Sequence, residues 1–203
     1  ILGETTRKDD PKRLAFDLSR YKFVSKMLSG MQSVAEIGCG DGFASRMIAE
    51  TCEKSDLSDF DGVLLSYAKS EWLGFVNNVE FLEHDIIANP LPMRNYDVIY
   101  SLDVLEHIDR EKEDNFFESN QVLERDRKRW SPCDRSPWLS SKRFASPRSR
   151  EVHVNCKTGS QLVETCKSYF NSACRFSMND EVVHTGFSGM AHYYFVIYLN
   201  PKN

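Results

Sequence analysis

The chain of 203 residues has no run approaching the roughly 18 apolar residues that a membrane-crossing helix needs, so nothing in it reads as a bilayer span. It has no C-x-x-C pair. Its cysteines, Cys39, Cys52, Cys133, Cys156, Cys166 and Cys174, are scattered, which excludes a zinc ribbon, a redox dithiol motif and a compact disulfide framework and leaves reduced cytosolic thiols as the simplest account. It has no excess of positive charge either. A formal net charge of −4 gives no general attraction to phosphate backbones, so a nucleic-acid partner is not expected. The first ten residues lack the apolar core and cleavage site of a secretory signal, begin without Met and turn charged by Arg7, so the expectation is a cytoplasmic protein, trimmed or a fragment. Repeats and interdomain linkers are absent, and the length is too short for two ordinary domains, which predicts one domain over residues 1–203.

What is present is alternation. Leu14, Leu18, Tyr21, Val24 and Leu28 recur at helical steps, which predicts an amphipathic helix over residues 10–28 with Pro11 in its first turn. Ser33–Ile37 (SVAEI) reads as a strand running into a glycine turn, residues 43–50 as helix, the polar stretch around Leu57 as a weak strand, and residues 59–72 as a second helix. Residues 79–86 (VEFLEHDI) and 96–102 (YDVIYSL) read as strands, residues 103–108 as the opening of a helix, residues 159–169 as helix and 191–199 (AHYYFVIYL) as a closing strand. Strands alternating with helices predict an α/β fold with a parallel sheet and right-handed crossovers.

The chemistry begins in residues 34–43 (VAEIGCGDGF). Glycines at 38, 40 and 42 let the backbone turn tightly off a strand and approach a ligand closely. A dinucleotide fingerprint calls for a further glycine three residues after the second, where Phe43 stands, and Glu36 precedes the first; E-x-G-x-G-x-G therefore favours S-adenosylmethionine over NAD. Asp59 follows the second strand, where a carboxylate accepts both ribose hydroxyls, with Asp56 and Asp61 as rivals. Asp85 follows the third strand, placed for an adenine amino group with Ile86 against the ring.

Taken in order, VAEIGCGDGF, DLSDFD, EHDI and YDVIYSLDVLEHI resemble the successive motifs of class I S-adenosylmethionine-dependent methyltransferases. The last resembles the branch typified by ubiquinone-biosynthesis O-methyltransferases and by sugar-tailoring or natural-product enzymes. The likeness covers residues 11–123 and, more loosely, 144–199. It implies a Rossmann-like, doubly wound, mostly parallel sheet of seven strands with an antiparallel last strand. It also implies a cap helix in 1–30, a cofactor-binding half in 31–123 and a substrate-side half in 144–203. Carried over by residue, Glu36, Gly38, Gly40 and Gly42, with Phe43 beside them, wrap the methionine part of the cofactor. Asp59, with Phe60, takes the ribose, Asp85 and Ile86 the adenine, and Ser101 and Leu102 the sulfonium side. The activity implied is methyl transfer to a small molecule, at a hydroxyl of a metabolite, sugar or lipid-linked precursor ahead of a nitrogen or carbon.

Methyl transfer is an in-line displacement at a sulfonium, so alignment and exclusion of water supply most of the acceleration, and a base helps only an acceptor that carries a proton. His153, in EVHVNCKTG, is the preferred base and His107 the second candidate; the alternative for His107 is a helix-start residue bound to backbone. His184 and His192 read as structural, and His84 as packing within a strand. Asp103, Glu106 and His107, at i, i+3 and i+4, share a helical face and with His153 resemble the metal-binding pattern of some relatives. First-turn carboxylates steadying a helix amino terminus are the preferred reading, and no metal is expected.

Residues 124–143 do not fit. Where the family pattern calls for a glycine-containing turn and an apolar fifth strand, residues 124–140 read ERDRKRWSPCDRSPWLS, and no strand is visible. Because CGG and TGG codons both contain GG, this Arg- and Trp-rich stretch is what a glycine-rich strand becomes when its gene is read out of frame, here between about Glu118 and Arg143. A disrupted fifth strand is therefore expected. It motivates an alternative to the enzyme, a catalytically degenerate methyltransferase-fold binding protein. The rival reading of the stretch is a basic loop for an anionic ligand, gathering Arg125, Arg127, Lys128, Arg129 and Arg135.

Overall fold

The computed structural model describes residues 10–92, 96–122, 130–135, 152–189 and 191–202. Helix α1 (Pro11–Leu28) starts on Asp10, whose carboxylate accepts the N–H groups of Lys12 and Arg13, and ends before Gly30, which turns the chain at φ +82°. There follow β1 (Ser33–Ile37), α2 (Arg46–Ala49), β2 (Lys54–Asp59), α3 (Gly62–Trp72), β3 (Val79–Glu83) and β4 (Val98–Ser101). Two 3-10 turns (Leu105–His107 and Arg110–Lys112) lead into α4 (Glu113–Val122), then β5 (Trp130–Arg135), α5 (Gly159–Tyr169), β6 (Phe170–Asn179), β7 (Val182–His184) and β8 (Tyr193–Pro201). Among the described residues no helix is long and apolar enough to cross a membrane.

The strands form one sheet in the order β3-β2-β1-β4-β5-β8-β6-β7, with the β1, β2, β3, β4 and β5 pairings parallel and the pairings of β8 and of β6 with β7 antiparallel. Alternation along β1 and β4 sends Ala35, Ile37 and Ile99 to one face, where Phe116 and Phe117 of α4 and Leu162 and Cys166 of α5 pack. Val34, Val98 and Tyr100 go to the other, against Val24 and Leu28 of α1 and Ile48 of α2. Each Val, Leu, Ile or Phe among them, fully removed from water, contributes about 1.5–3 kcal/mol. The product is helix, sheet and helix in layers, the Rossmann-like α/β architecture anticipated.

Strand β2 (KSDLSD) explains its faint sequence signal. After Lys54 all of it is buried, and two of its polar side chains are paired: Asp56 accepts from the Tyr96 hydroxyl at 2.7 Å, and the Ser58 hydroxyl donates to the Glu36 carbonyl at 2.8 Å.

Several expectations are corrected. The sheet has eight described strands rather than seven, because the chain reverses at Asp180 (φ +48°) and lays β7 along β6. The fifth strand is present: the backbone of Trp130–Arg135 lies between β4 and β8, pairing with β8 from Trp130↔Leu199 to Arg135↔Tyr194. Two flanking strand edges hold that position through backbone bonds, which need no apolar pattern. Of the proposed basic loop, Arg125, Arg127, Lys128 and Arg129 lie outside the described residues. Residues 103–108 do not open a helix, since Asp103 takes φ +55° and only a 3-10 turn follows. The helix expected over 43–50 is confined to Arg46–Ala49, and the strand expected over 79–86 stops at Glu83.

Candidate active site

The carboxyl ends of β1 to β4 open on one cavity of about 590 Å³. Its wall carries Gly38 after β1, Asp59, Phe60 and Asp61 after β2, His84, Asp85 and Ile86 after β3, and Asp103, Val104 and His107 after β4. The glycine loop is pinned to β2, with the N–H groups of Gly38 and Cys39 both donating to the Ser58 carbonyl, at 2.7 and 3.0 Å. Gly38 has φ +76°, and a Cβ there would overlap the Val104 side chain; Gly40 has φ +57° and open space where its Cβ would stand.

Glu36 is not on the cavity wall. It is fully buried behind the loop, accepting from the Tyr21 hydroxyl of α1 at 3.0 Å and the Tyr100 hydroxyl of β4 at 2.6 Å. Burial pushes its carboxyl up to about 7, against the hydrogen bonds from Tyr100 and Tyr21 that favour the charged form. Asp59 faces the cavity. One of its oxygens accepts the Gly40 N–H at 2.8 Å and the other the Asp61 N–H at 2.9 Å, while Asp61 caps α3. A carboxylate oxygen so engaged keeps a further lone pair, so Asp59 can still receive a pair of neighbouring hydroxyls. Asp85 accepts the Ile87 N–H at 2.9 Å, and Ile86 is buried beside it.

At the β4 edge Asp103 is held by Arg20 of α1, with 2.5 Å between them. Arg20 also pairs with Asp17 at 2.8 Å and lies over the Tyr193 ring, so α1 is fastened to the cavity rim. Asp103, bound to Arg20, is not among the ligand atoms that gather with those of Glu106 and His107, and no helix starts here for these carboxylates to steady. The ligand atoms that do converge are those of Glu106, His107 and His153, all within 4.8 Å of one another. The two imidazoles meet edge to face with centroids 4.8 Å apart, and His107 Nδ1 lies 3.2 Å from the Val152 carbonyl.

Of the residues named from the sequence, Gly38, Asp59, Phe60, Asp61, His84, Asp85, Ile86, Asp103 and His107 share this cavity. Glu36, Ser101 and Leu102 are buried, and Phe43 is about half exposed. Gly40 and Gly42 shape the loop from outside the lining, and His153 stands against His107. His84 lies past its strand, its Nε2 2.8 Å from the Asn89 carbonyl, rather than within it. His184 is engaged with Asn179 and Gly186, and His192 Nδ1 accepts the Asp180 N–H. Sequence reasoning named Asp103 only as a carboxylate beside Glu106 and His107 and missed Val104 as a cavity residue, although the position of Val104 after a strand at the carboxyl edge was the available signal.

Residues 34–126 match the methyltransferase domain family. Over 77 residues the chain is 27% identical to a probable S-adenosylmethionine-dependent methyltransferase of Mycobacterium tuberculosis, a match covering 38% of this chain and 27% of that protein. Over 89 residues it is 34% identical to phosphoethanolamine N-methyltransferase 1 of Arabidopsis thaliana, covering 43% of this chain and 18% of that one. The chain therefore spans about a quarter or less of the length of these curated relatives. Among solved structures, the N-methyltransferase NodS of Bradyrhizobium japonicum WM9 shares the fold, with a TM-score of 0.67 at 13% identity over 96% of this chain and 99% of that one. Sheet order, glycine loop and these likenesses agree: the chain has the Rossmann-like fold of these class I methyltransferase structures, and its residues 34–126 match the model of the methyltransferase domain family.

Proposed function

We propose that the chain is an S-adenosylmethionine-dependent methyltransferase that acts on a hydroxyl of a small metabolite, sugar or lipid-linked precursor, in the ubiquinone-biosynthesis-like branch. The carrying observation is the convergence of Gly38, Asp59, Phe60, Asp85 and Ile86 on one cavity with His107 at its β4 side. The residues fit the cofactor: Asp59 has acceptor capacity left for a ribose diol, buried Ile86 offers an apolar face for a base, and the open ground at Gly40 leaves room for an aminoacyl tail. When bound, the cofactor supplies an electrophilic methyl on sulfur. The protein's part is alignment, exclusion of water and removal of the acceptor's proton, which passes to the His107–His153 pair, with His153 as base.

A second reading of the acceptor side rests on the convergence of Glu106, His107 and His153. A carboxylate with two imidazoles suits a divalent ion such as zinc, which would acidify an acceptor hydroxyl in place of a base.

The test uses methyl-labelled S-adenosylmethionine with a panel of hydroxylated metabolites, sugars and polyprenyl phenols. Labelled product is expected, reduced about 10²-fold or more in His153→Gln. Loss of turnover to chelator, restored by added metal, selects the second reading. Cofactor binding with no transfer to any acceptor returns the account to the degenerate binding protein.

A further inference from the structure

The segment carrying His153 belongs to no long element, yet it is fixed at several points. Its start is held by His107 Nδ1 at the Val152 carbonyl, its middle by the Asn155 N–H donating to the Glu106 carbonyl at 3.1 Å, and its end by Thr158, which caps α5 in a reciprocal box with Gln161. The strongest attachment comes from elsewhere. Glu113, the first residue of α4 and buried, accepts through one carboxylate oxygen both the Asn155 amide, at 2.6 Å, and the Lys157 ammonium, at 2.6 Å. Asn155 is itself fully buried, and Lys157 and Glu113 expose only 12% and 11% of their side chains, so this pairing is shielded from water that would loosen it.

We propose that Glu113 is the positioning residue of the acceptor-side histidine pair. It acts through Asn155 and Lys157, two and four residues beyond His153, and sets the distance of His153 from His107 and Glu106 without touching the cavity. This rests on the proposed role of that pair. Asn155 is the joint of the device, since its side chain answers to α4 while its N–H answers to the turn that bears Glu106 and His107. Glu113 lies outside the cavity wall, so its replacement is expected to leave cofactor affinity nearly unchanged.

The test compares wild type with Glu113→Ala/Lys157→Met, which removes both charges so that neither is stranded, and with Glu113→Gln/Lys157→Met, which restores an acceptor for the Asn155 amide. The readouts are the nuclear Overhauser effect between the His107 and His153 rings, the ¹⁵N tautomer shifts of both rings at one fixed pH, and S-adenosylhomocysteine affinity by calorimetry. The Ala variant is expected to lose at least fivefold of the inter-ring effect and to show averaged tautomers, with affinity within threefold of wild type; the Gln variant recovers the wild-type pattern. An unchanged inter-ring effect in the Ala variant overturns the proposal, as does a parallel fall in cofactor affinity, which marks a general structural role. If the Ala variant does not fold, Asn155→Ala alone takes its place: the same loss supports the proposal and an unchanged effect overturns it. Absence of S-adenosylhomocysteine binding in wild type instead sinks the proposed function, and is read independently of the histidine geometry.

Discussion

Glu36 carries an acid into a place where its charge is costly. Its carboxyl is raised from 4.5 to about 7 by burial, so the folded protein holds the proton more tightly than the unfolded chain does. The linked stability is fully present below about 4.5 and is lost as the pH climbs to about 7, above which the slope vanishes. Thermal midpoints of wild type should therefore fall between pH 5 and about 7 relative to those of Glu36→Gln, and parallel curves for the two proteins contradict this. Gly38 is constrained differently. Alanine there meets both a left-handed φ of +76° and the Val104 side chain, so Gly38→Ala should cost about 2–4 kcal/mol in denaturant unfolding. Gly38 and Asp59 were legible in the sequence because spacing after a strand decides where such residues stand. Asp103 was not, because its place depends on a left-handed backbone and on Arg20, which lies far away in the chain.

Among the elements, α1 does more than cover apolar surface. Arg20 ties it to Asp103 at the cavity rim, and Tyr21 ties it to Glu36 behind the glycine loop. Arg20 is nearly buried but its carboxylate partners are a third or more exposed, so solvent screens part of the interaction. Arg20→Met should lower the unfolding free energy by about 1–3 kcal/mol and make α1 the first site cut in limited proteolysis. An unchanged urea midpoint with the same cleavage pattern contradicts the tie. The helical period of α1 was plain in the sequence, since one stripe of it is apolar. The place of β2 was faint because its buried Asp56 and Ser58 find partners only after folding, and β5 was invisible because its neighbours, rather than its side-chain pattern, set its position.

At the scale of the whole molecule, the sheet gathers four loops at one edge, and the candidate site lies among them rather than in the core. The parallel half and its glycine turn followed from alternation and spacing. The antiparallel half, with its added β7, did not, because nothing in the residues near Asp180 distinguishes a loop from a reversal that continues as strand. The central claim is that the β2 carboxylate and the glycine loop together form a nucleoside-sulfonium site. Calorimetric titration of wild type and Asp59→Ala with S-adenosylhomocysteine tests it most directly. Saturable binding weakened about 10- to 100-fold in the variant, the loss of charge-assisted bonds to a diol, is the predicted result; no binding by the wild type, or equal affinity in both proteins, would contradict it.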